Sequence, residues 1–316
     1  METTTELQIH TPKTLLEAVR YFSSEVVCVE YLSNIFWQGG EKCCIKCGST
    51  AIYGMRTRPV FKCRDCKKQF SIKSGTVMAK SPLPITKWLP AIWMVTNDKN
   101  GISSYEVARA LGVSQQTSWF MLHRIREAVQ NGSLKMLSGE IEVDETYVGG
   151  KTKFMHKDKK AKLPKKHRRI AGDKTVVMGM IERKGEIRAK VVADARRSSL
   201  LPEIWKNIEK GSNIYTDKLH SYDTLKERYN HKTVDHTITF VDGDAHTNTL
   251  ENFWMLFKRS VKGTWVHISP DHTDRYLDEQ VFRYNNRKDS DAGRFVKATQ
   301  GIFGKRLTYE ELTGQA

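Results

Sequence analysis

Four cysteines in two close pairs and three acidic residues set among apolar neighbours are the residues of this 316-residue chain whose types and spacing suit chemistry. Cys44 and Cys47 form one C-x2-C pair, Cys63 and Cys66 a second, and fifteen residues separate the pairs. Each pair places two sulfurs on one tight knuckle, and two facing knuckles complete a tetrahedron around Zn2+. The site predicted is structural and closed. Cys43 competes with Cys44, but Cys44 keeps the two-residue interval, which leaves Cys43 and Cys28 as ordinary thiols. Five of six cysteines crowded into residues 43–66 argue against a disulfide framework and for a reducing compartment.

The acids are Asp144, Asp217 and Glu251. Asp144 lies in the strand-like run Ile141 to Val148, where Ile141 and Val143 point to one face and Glu142 and Asp144 to the other. Asp217 ends Asn213-Ile-Tyr-Thr-Asp217, at the carboxyl end of a predicted central strand, where open α/β sheets place their sites. Glu251 opens a helical stretch, with Lys258 two turns further along the same face. Two strand aspartates and one helix glutamate suit a pair of Mg2+ or Mn2+ ions, since hard cations take carboxylate oxygens and water. Such a pair drives in-line phosphoryl displacement. Glu145, Asp223, Asp242 and Asp244 read as surface charges, with strand alternation turning Glu145 away from Asp144, and Glu142 reads as a neighbour of the site.

The elements that must position these residues follow from periodicity. Residues 1–38 read as a preface of two short helices, with Leu15, Leu16, Val19 and Phe22 on the apolar face of the first and Val26, Val29, Leu32 and Phe36 on that of the second. Residues 39–80 hold too little apolar content for a core and depend on the zinc ribbon. Residues 81–133 return to helical spacing. Within them Ser103 and Glu106 form a capping box, Gly112 stops a helix and Ser114 caps the next. This layout is that of a helix-turn-helix, with Trp119, Leu122, Ile125 and Val129 inward and Gln115, Gln116, Ser118 and Arg124 outward toward a major groove. Residues 134–316 alternate strands and helices, with a hairpin turning at Arg183, Lys184 and Gly185 and helices over 200–210, 248–261 and 274–286.

The 52 Lys and Arg outnumber 36 Asp and Glu, and a formal charge of +16 on an ordinary globular composition selects a polyanionic partner. The run from Lys151 to Lys174, with eleven basic residues, reads as a solvated loop or, following directly on the Asp144 strand, as DNA contacts through Lys151, Lys153, Arg168 and Arg169. No stretch approaches the roughly 18 apolar residues of a membrane span.

The blocks Val143-Asp-Glu-Thr-Tyr-Val-Gly-Gly150 and Asn248-Thr-Leu-Glu-Asn-Phe-Trp254, ending in Lys258-Arg259, are joined by Tyr215-Thr-Asp217 and Cys44-Ile-Lys-Cys-Gly48. In these the chain resembles insertion-sequence DDE transposases of the Merlin-related group, which carry an amino-terminal zinc ribbon. The resemblance implies a multidomain α+β protein: zinc ribbon, helix-turn-helix, then an RNase H-like α/β catalytic domain with a mixed sheet. It implies metal-dependent cleavage at terminal inverted repeats and joining of the freed 3′ end to target DNA. The family's triad falls on Asp144, Asp217 and Glu251 and its basic partner on Lys258, and Arg259 beside it joins the DNA-binding residues. Some relatives use Asn as the third ligand, a residue found here at Asn252. Double-stranded DNA, a homodimer or larger assembly on it, and the cytoplasm of a prokaryotic host complete the expectation. The alternative is a domesticated or inactive DNA-binding regulator that keeps the amino-terminal modules and no longer cuts.

Overall fold

The computed structural model describes residues 10–55, 58–130, 135–149, 174–234 and 246–314. It divides into two compact units, Met1–Asn131 with Asn286–Ala316, and Gly132–Asn285.

In the first unit, α1 (Leu15–Tyr21) is capped by Thr14, whose side chain accepts from the Glu17 amide, and α2 (Glu25–Phe36) follows. Their buried residues are Ala18, Phe22, Cys28, Tyr31 and Leu32, while Leu15, Leu16, Val19 and Val26 stay exposed. The apolar faces expected from spacing are therefore only partly the packed ones, because the aromatic rings of Phe22 and Tyr31 seek partners elsewhere in the chain.

Strands β1 (Ile52–Gly54), β2 (Phe61–Cys63) and β3 (Gln69–Phe70) form a small antiparallel sheet in the order β1-β2-β3. Its apolar content is slight, with Phe70 buried, Phe61 stacked on it at 5.6 Å, and Trp37 edge-on to Phe61 at 5.6 Å.

Helix α3 (Ile85–Asn97) is buried along almost its whole length. Pro84 offers its amino end no side-chain cap, so the Glu25 carboxylate supplies one, accepting from the Ile85 and Thr86 amides at 2.9 and 3.3 Å. Helix α4 (Ser104–Leu111) begins with the expected Ser103/Glu106 capping box. It ends at Gly112, whose φ of 60° and ψ of 51° are left-handed values that glycine adopts without strain. Helix α5 (Gln115–Val129) starts at Ser114, which accepts from the Thr117 amide.

The second unit is built on one five-stranded sheet. Strands β4 (Glu140–Val148), β5 (Thr175–Glu182) and β6 (Ile187–Val192) are antiparallel neighbours, with β5 and β6 joined as the hairpin predicts. After α6 (Arg197–Asn207), β7 (Asn213–Asp217) returns to lie parallel to β4. A 3-10 segment (His220–Glu227) then leads to β8 (Asn230–Val234), parallel to β7. The spatial order is β6-β5-β4-β7-β8.

Alternation sends Ile141, Val143, Met178, Met180 and Ile214 to one face, against Leu200, Leu201 and Ile204 of α6 and Tyr222 and Leu225. The other face is covered by α7 (Asn248–Ser260) and α8 (Thr273–Asn285) through Leu250, Phe253, Trp254, Phe257 and Leu277.

The chain then rejoins the first unit. Residues 134–316 were expected to form one domain, but Asn286–Ala316 groups with the amino-terminal residues. The reason is aromatic: Phe295 of α9 (Asp291–Gln300) is fully buried, 5.6, 5.9 and 5.1 Å from the rings of Phe22, Tyr31 and Trp93. Beyond α9, the Val77 amide donates to the Ile302 carbonyl and the Gly304 amide to that of Gly75. A last helix, α10 (Tyr309–Thr313), is capped by Thr308 and Glu311.

Candidate functional site

Strands β4 and β7 run parallel and pair through Glu142 opposite Tyr215. Two residues further along, each strand carries an aspartate, Asp144 and Asp217. The register therefore brings both acids together just beyond the last β4–β7 pair, Asp217 at the carboxyl end of its strand and Asp144 midway along β4. One carboxylate oxygen from each of Asp144, Glu145 and Asp217 lies within 4.8 Å of the others.

Glu145 was expected to face away. Its side chain does point to the opposite face, where the Tyr222 hydroxyl donates to its Oε2 at 2.7 Å. Pairing of β4 with β7 stops at Glu142, however, while β4 runs on beside β5, so side chains from both faces converge where β4 and β7 part. Alternation fixes the direction of Cβ, and a long side chain at such a rim still reaches round.

Helix α7 lies across the Asp144 face. The Trp254 indole donates to Asp144 Oδ2 at 3.0 Å. A cavity of about 540 Å³ opens beside it, lined by Asp144, Thr146, Glu251, Lys258, Arg259 and Lys262 among others. Glu251 and Lys258, which the seven-residue spacing puts on one face of α7, line this cavity with Asp144. Glu251 is exposed in the first turn of α7, where the Thr247 hydroxyl donates to it at 3.4 Å, and it stands outside the three-carboxylate group.

Burial raises the Asp144 carboxyl from its ordinary 3.8 to about 7, and the neighbouring charges of Glu145 and Asp217 add to the rise. Glu145 is raised by burial and by Asp217, against the hydrogen bond from Tyr222. Burial lowers Lys258, partly opposed by the charge of Asp144. A donor set made only of carboxylate oxygens, in which burial and neighbouring charge disfavour the anions of Asp144 and Glu145, fits a hard divalent cation.

The four cysteines converge as expected. Cys44 Sγ lies 3.7 Å from Cys66 Sγ, and Cys47 Sγ 3.7 Å from Cys63 Sγ. A tetrahedron with Zn–S bonds of about 2.3 Å has edges of about 3.8 Å. The four sulfurs therefore fit structural Zn2+. The Lys46 amide points at Cys44 Sγ at 3.4 Å, and the amide of Cys66 draws the Cys63 thiol down to about 7 against the cost of burial. Cys28 is buried away from this group, and Cys43 stands outside it.

Of the residues expected to read DNA, Gln116 is exposed, near Tyr309 of α10, with its amide 3.4 Å from the phenol oxygen. Gln115 is half-buried and donates to the Ser104 hydroxyl at 2.8 Å. Ser118 and Arg124 are not outward. The Ser118 hydroxyl is buried and donates to the Ser104 carbonyl at 2.6 Å, tying α5 to α4. Arg124 is buried under the Trp88 and Phe120 rings and donates to the Ala79 carbonyl at 2.6 Å. Because α3, α4 and the 79–83 segment all pack on α5, Gln116 alone of its first two turns is fully exposed, with Thr117 and Phe120 half-exposed beside it. Thr117 and Phe120 went unnoticed in the sequence because nothing in helical spacing says how many neighbours a helix has. Lys151, Lys153, Arg168 and Arg169 lie outside the described residues, and Arg259 is exposed beside the carboxylate cavity.

Residues 136–285 match the ISXO2-like transposase domain, and residues 23–69 match the transposase zinc-ribbon domain. An uncharacterised protein of the transposable element ISH50 from Halobacterium salinarum is 28% identical over 277 residues, 82% of this chain and 90% of its own length. An uncharacterised transposase-like protein from Haemophilus influenzae is 32% identical over 97 residues, 30% of this chain and 78% of its own. Among solved structures, a pre-cleavage Mos1 transpososome aligns with 69% of this chain and 79% of its own at 13% identity, with a TM-score of 0.23. The carboxylate cluster lies in the first matched region and the four-thiolate ribbon in the second, and the chain belongs to the transposases that join a zinc ribbon to an ISXO2-like transposase domain.

Proposed function

We propose that this transposase binds the terminal inverted repeats of its element, cleaves the DNA there and joins the freed 3′ ends to target DNA at the Asp144 rim. The observation that carries the reading is the convergence of Asp144 with Asp217 on adjacent parallel strands, with Glu251 and Lys258 across the same cavity from Asp144. The order β6-β5-β4-β7-β8, three antiparallel strands followed by two parallel ones, supports an RNase H-like catalytic unit.

Asp144 and Asp217 would hold a pair of Mg2+ or Mn2+ ions, with Glu251 or Glu145 completing the shell. When bound, such ions activate an attacking hydroxyl and stabilise the leaving oxygen of an in-line phosphoryl displacement. Trp254 holds Asp144 by one oxygen and leaves the other for a ligand. Lys258, Arg259 and Lys262 bring positive charge to the cavity wall, where a scissile phosphate would lie. The zinc ribbon and the α4–α5 pair, read as a helix-turn-helix, would bind the repeat, with Gln116, Thr117 and Phe120 facing base edges. The substrate places the protein in the cytoplasm with the nucleoid, acting as a dimer or larger assembly because two element ends must be cut.

The deciding experiment is a nicking assay on terminal-repeat DNA with Mg2+ or Mn2+. Metal-dependent cuts at the element boundary are expected. Specific binding with no cutting under either ion would replace the enzyme with the DNA-binding regulator.

A further inference from the structure

Glu142 is an ionisable residue two positions before Asp144, and its side chain is fully buried. Strand alternation puts it on the Asp144 face of β4, under the amino end of α7. Its two oxygens are fully engaged. Oε2 accepts from the Leu250 amide at 3.0 Å, and Oε1 from the Thr249 hydroxyl at 2.9 Å and the Arg183 guanidinium at 3.1 Å, with His246 Nδ1 3.2 Å from the same oxygen. Arg183 donates in turn to the His246 carbonyl at 3.0 Å and lies over the Tyr215 ring at 4.1 Å. A buried carboxylate is costly unless paired, and this one is paired on every side.

The bonds join three parts of the site. Leu250 and Thr249 sit in the first turn of α7, which also carries Glu251. Glu142 belongs to the strand of Asp144, and Tyr215 to the strand of Asp217. A carboxylate on the free amides of a first helical turn is favoured by both hydrogen bonding and the helix dipole. A second feature sets the closeness of the same docking. Gly179 on β5 pairs opposite Asp144, and a Cβ there would lie 2.6 Å from Trp254 Cζ2 and 2.9 Å from Leu250 Cδ1. The absence of that Cβ lets α7 approach until the Trp254 indole reaches Asp144.

We infer that Glu142 is a positioning residue, a buried clamp that fixes the first turn of α7 on β4 and so sets Glu251 across from Asp144. It touches neither metal nor DNA. Where the sheet is held by its own ladder, the placement of a helix glutamate against two strand aspartates has to be imposed by side chains, and Glu142 with Arg183 is the side-chain device that imposes it. The consequence for cleavage rests on the transposase reading above, but the clamp itself does not.

The test uses the full chain with Glu142→Gln and, as a milder change, Thr249→Val, which removes one donor to the clamp. Three quantities are read: amide hydrogen exchange over residues 247–252, Mn2+ affinity, and the rate and DNA affinity of single-turnover cleavage. Faster exchange at Leu250, Mn2+ affinity lower by about 10- to 100-fold, and a similar loss in cleavage rate with unchanged DNA affinity are expected for Glu142→Gln. Thr249→Val should move all three in the same direction by less. If Glu142→Gln unfolds the unit, Thr249→Val decides. In a Glu251→Gln background, where the positioned group is already lost, Glu142→Gln should add little to the loss of Mn2+ affinity, whereas a merely structural role would add its full effect. Unchanged exchange at Leu250 overturns the clamp, and so does loosened exchange with wild-type Mn2+ affinity when Glu251→Gln alone lowers that affinity. Failure of the wild-type chain to cut any DNA would sink the transposase reading alone, with the clamp still judged by exchange and Mn2+ affinity.

Discussion

Asp144 is half-buried beside two other carboxylates, and that has a consequence in the metal-free protein. Between about pH 4 and pH 7 the folded chain keeps a proton on Asp144 that the unfolded chain has released. Its contribution to stability therefore declines as pH rises through that window and is level above it. Metal-free protein should melt earlier at about pH 7.5 than at about pH 5.5 relative to an Asp144→Asn variant, which lacks this dependence, and Mg2+ or Mn2+ should restore the wild-type melting temperature at the higher pH. Parallel pH profiles for the two proteins in a thermal melt would remove the argument. Asp144→Ala and Asp217→Ala should each lower cleavage by roughly 10³-fold or more, and the double variant should cost little beyond either single one, since the two act as a unit. The third ligand is decided by comparing Glu145→Gln with Glu251→Gln in the same assay. The one whose loss matches the aspartates completes the shell. Tyr222→Phe, which frees Glu145 Oε2, should cost about tenfold only if Glu145 is that ligand.

The ribbon is an element that its own side chains barely hold, with Phe70 and two cysteines as its buried apolar residues. Cys47→Ser or Cys63→Ser should release one Zn2+ per chain and unfold residues 39–70, seen by metal analysis and proteolysis, while the sheet of the second unit keeps its melting transition. Helix α5 makes a different prediction. Gln116→Ala should relax sequence preference by about 1 to 3 kcal/mol of discrimination. Arg124→Ala should instead lower stability, because the Ala79 carbonyl loses its donor and two rings lose their cation, with preference among DNA sequences unchanged. A shift of base preference in the Arg124 variant would show that the helix presents another face to DNA.

Across the molecule, the order of the chain is not the order of its parts, since the last 31 residues belong to the unit formed by the first 131. A chain ended after Asn285 should leave the second unit's sheet folded and melt the first unit at a lower temperature. Phe295→Ala should reproduce part of that loss, about 3 to 5 kcal/mol for a fully buried ring. Gly301→Ala should add to it, because its Cβ would lie 2.3 Å from the Ala128 carbonyl oxygen. Scanning calorimetry of the three variants separates the two units. Equal loss in both transitions would mean that the units melt as one.

Local chemistry was legible in the sequence wherever one short segment carried the whole signal. The C-x2-C pairs close on a single metal whatever surrounds them, the Ser103, Gly112 and Ser114 signals act within a helical turn, and period-two alternation put Asp144 and Ile141 on opposite faces of β4. What needed distant segments to meet was not legible. Glu145 joins the carboxylates because β7 stops pairing with β4 where it does. Ser118 and Arg124 turn inward because three segments pack on α5. The burial of Glu142 depends on Arg183 and His246, 41 and 104 positions further along the chain. Residue type and spacing determine what a side chain can do, and only the tertiary contacts decide which neighbours it meets, and so which acids become ligands, clamps or surface charge.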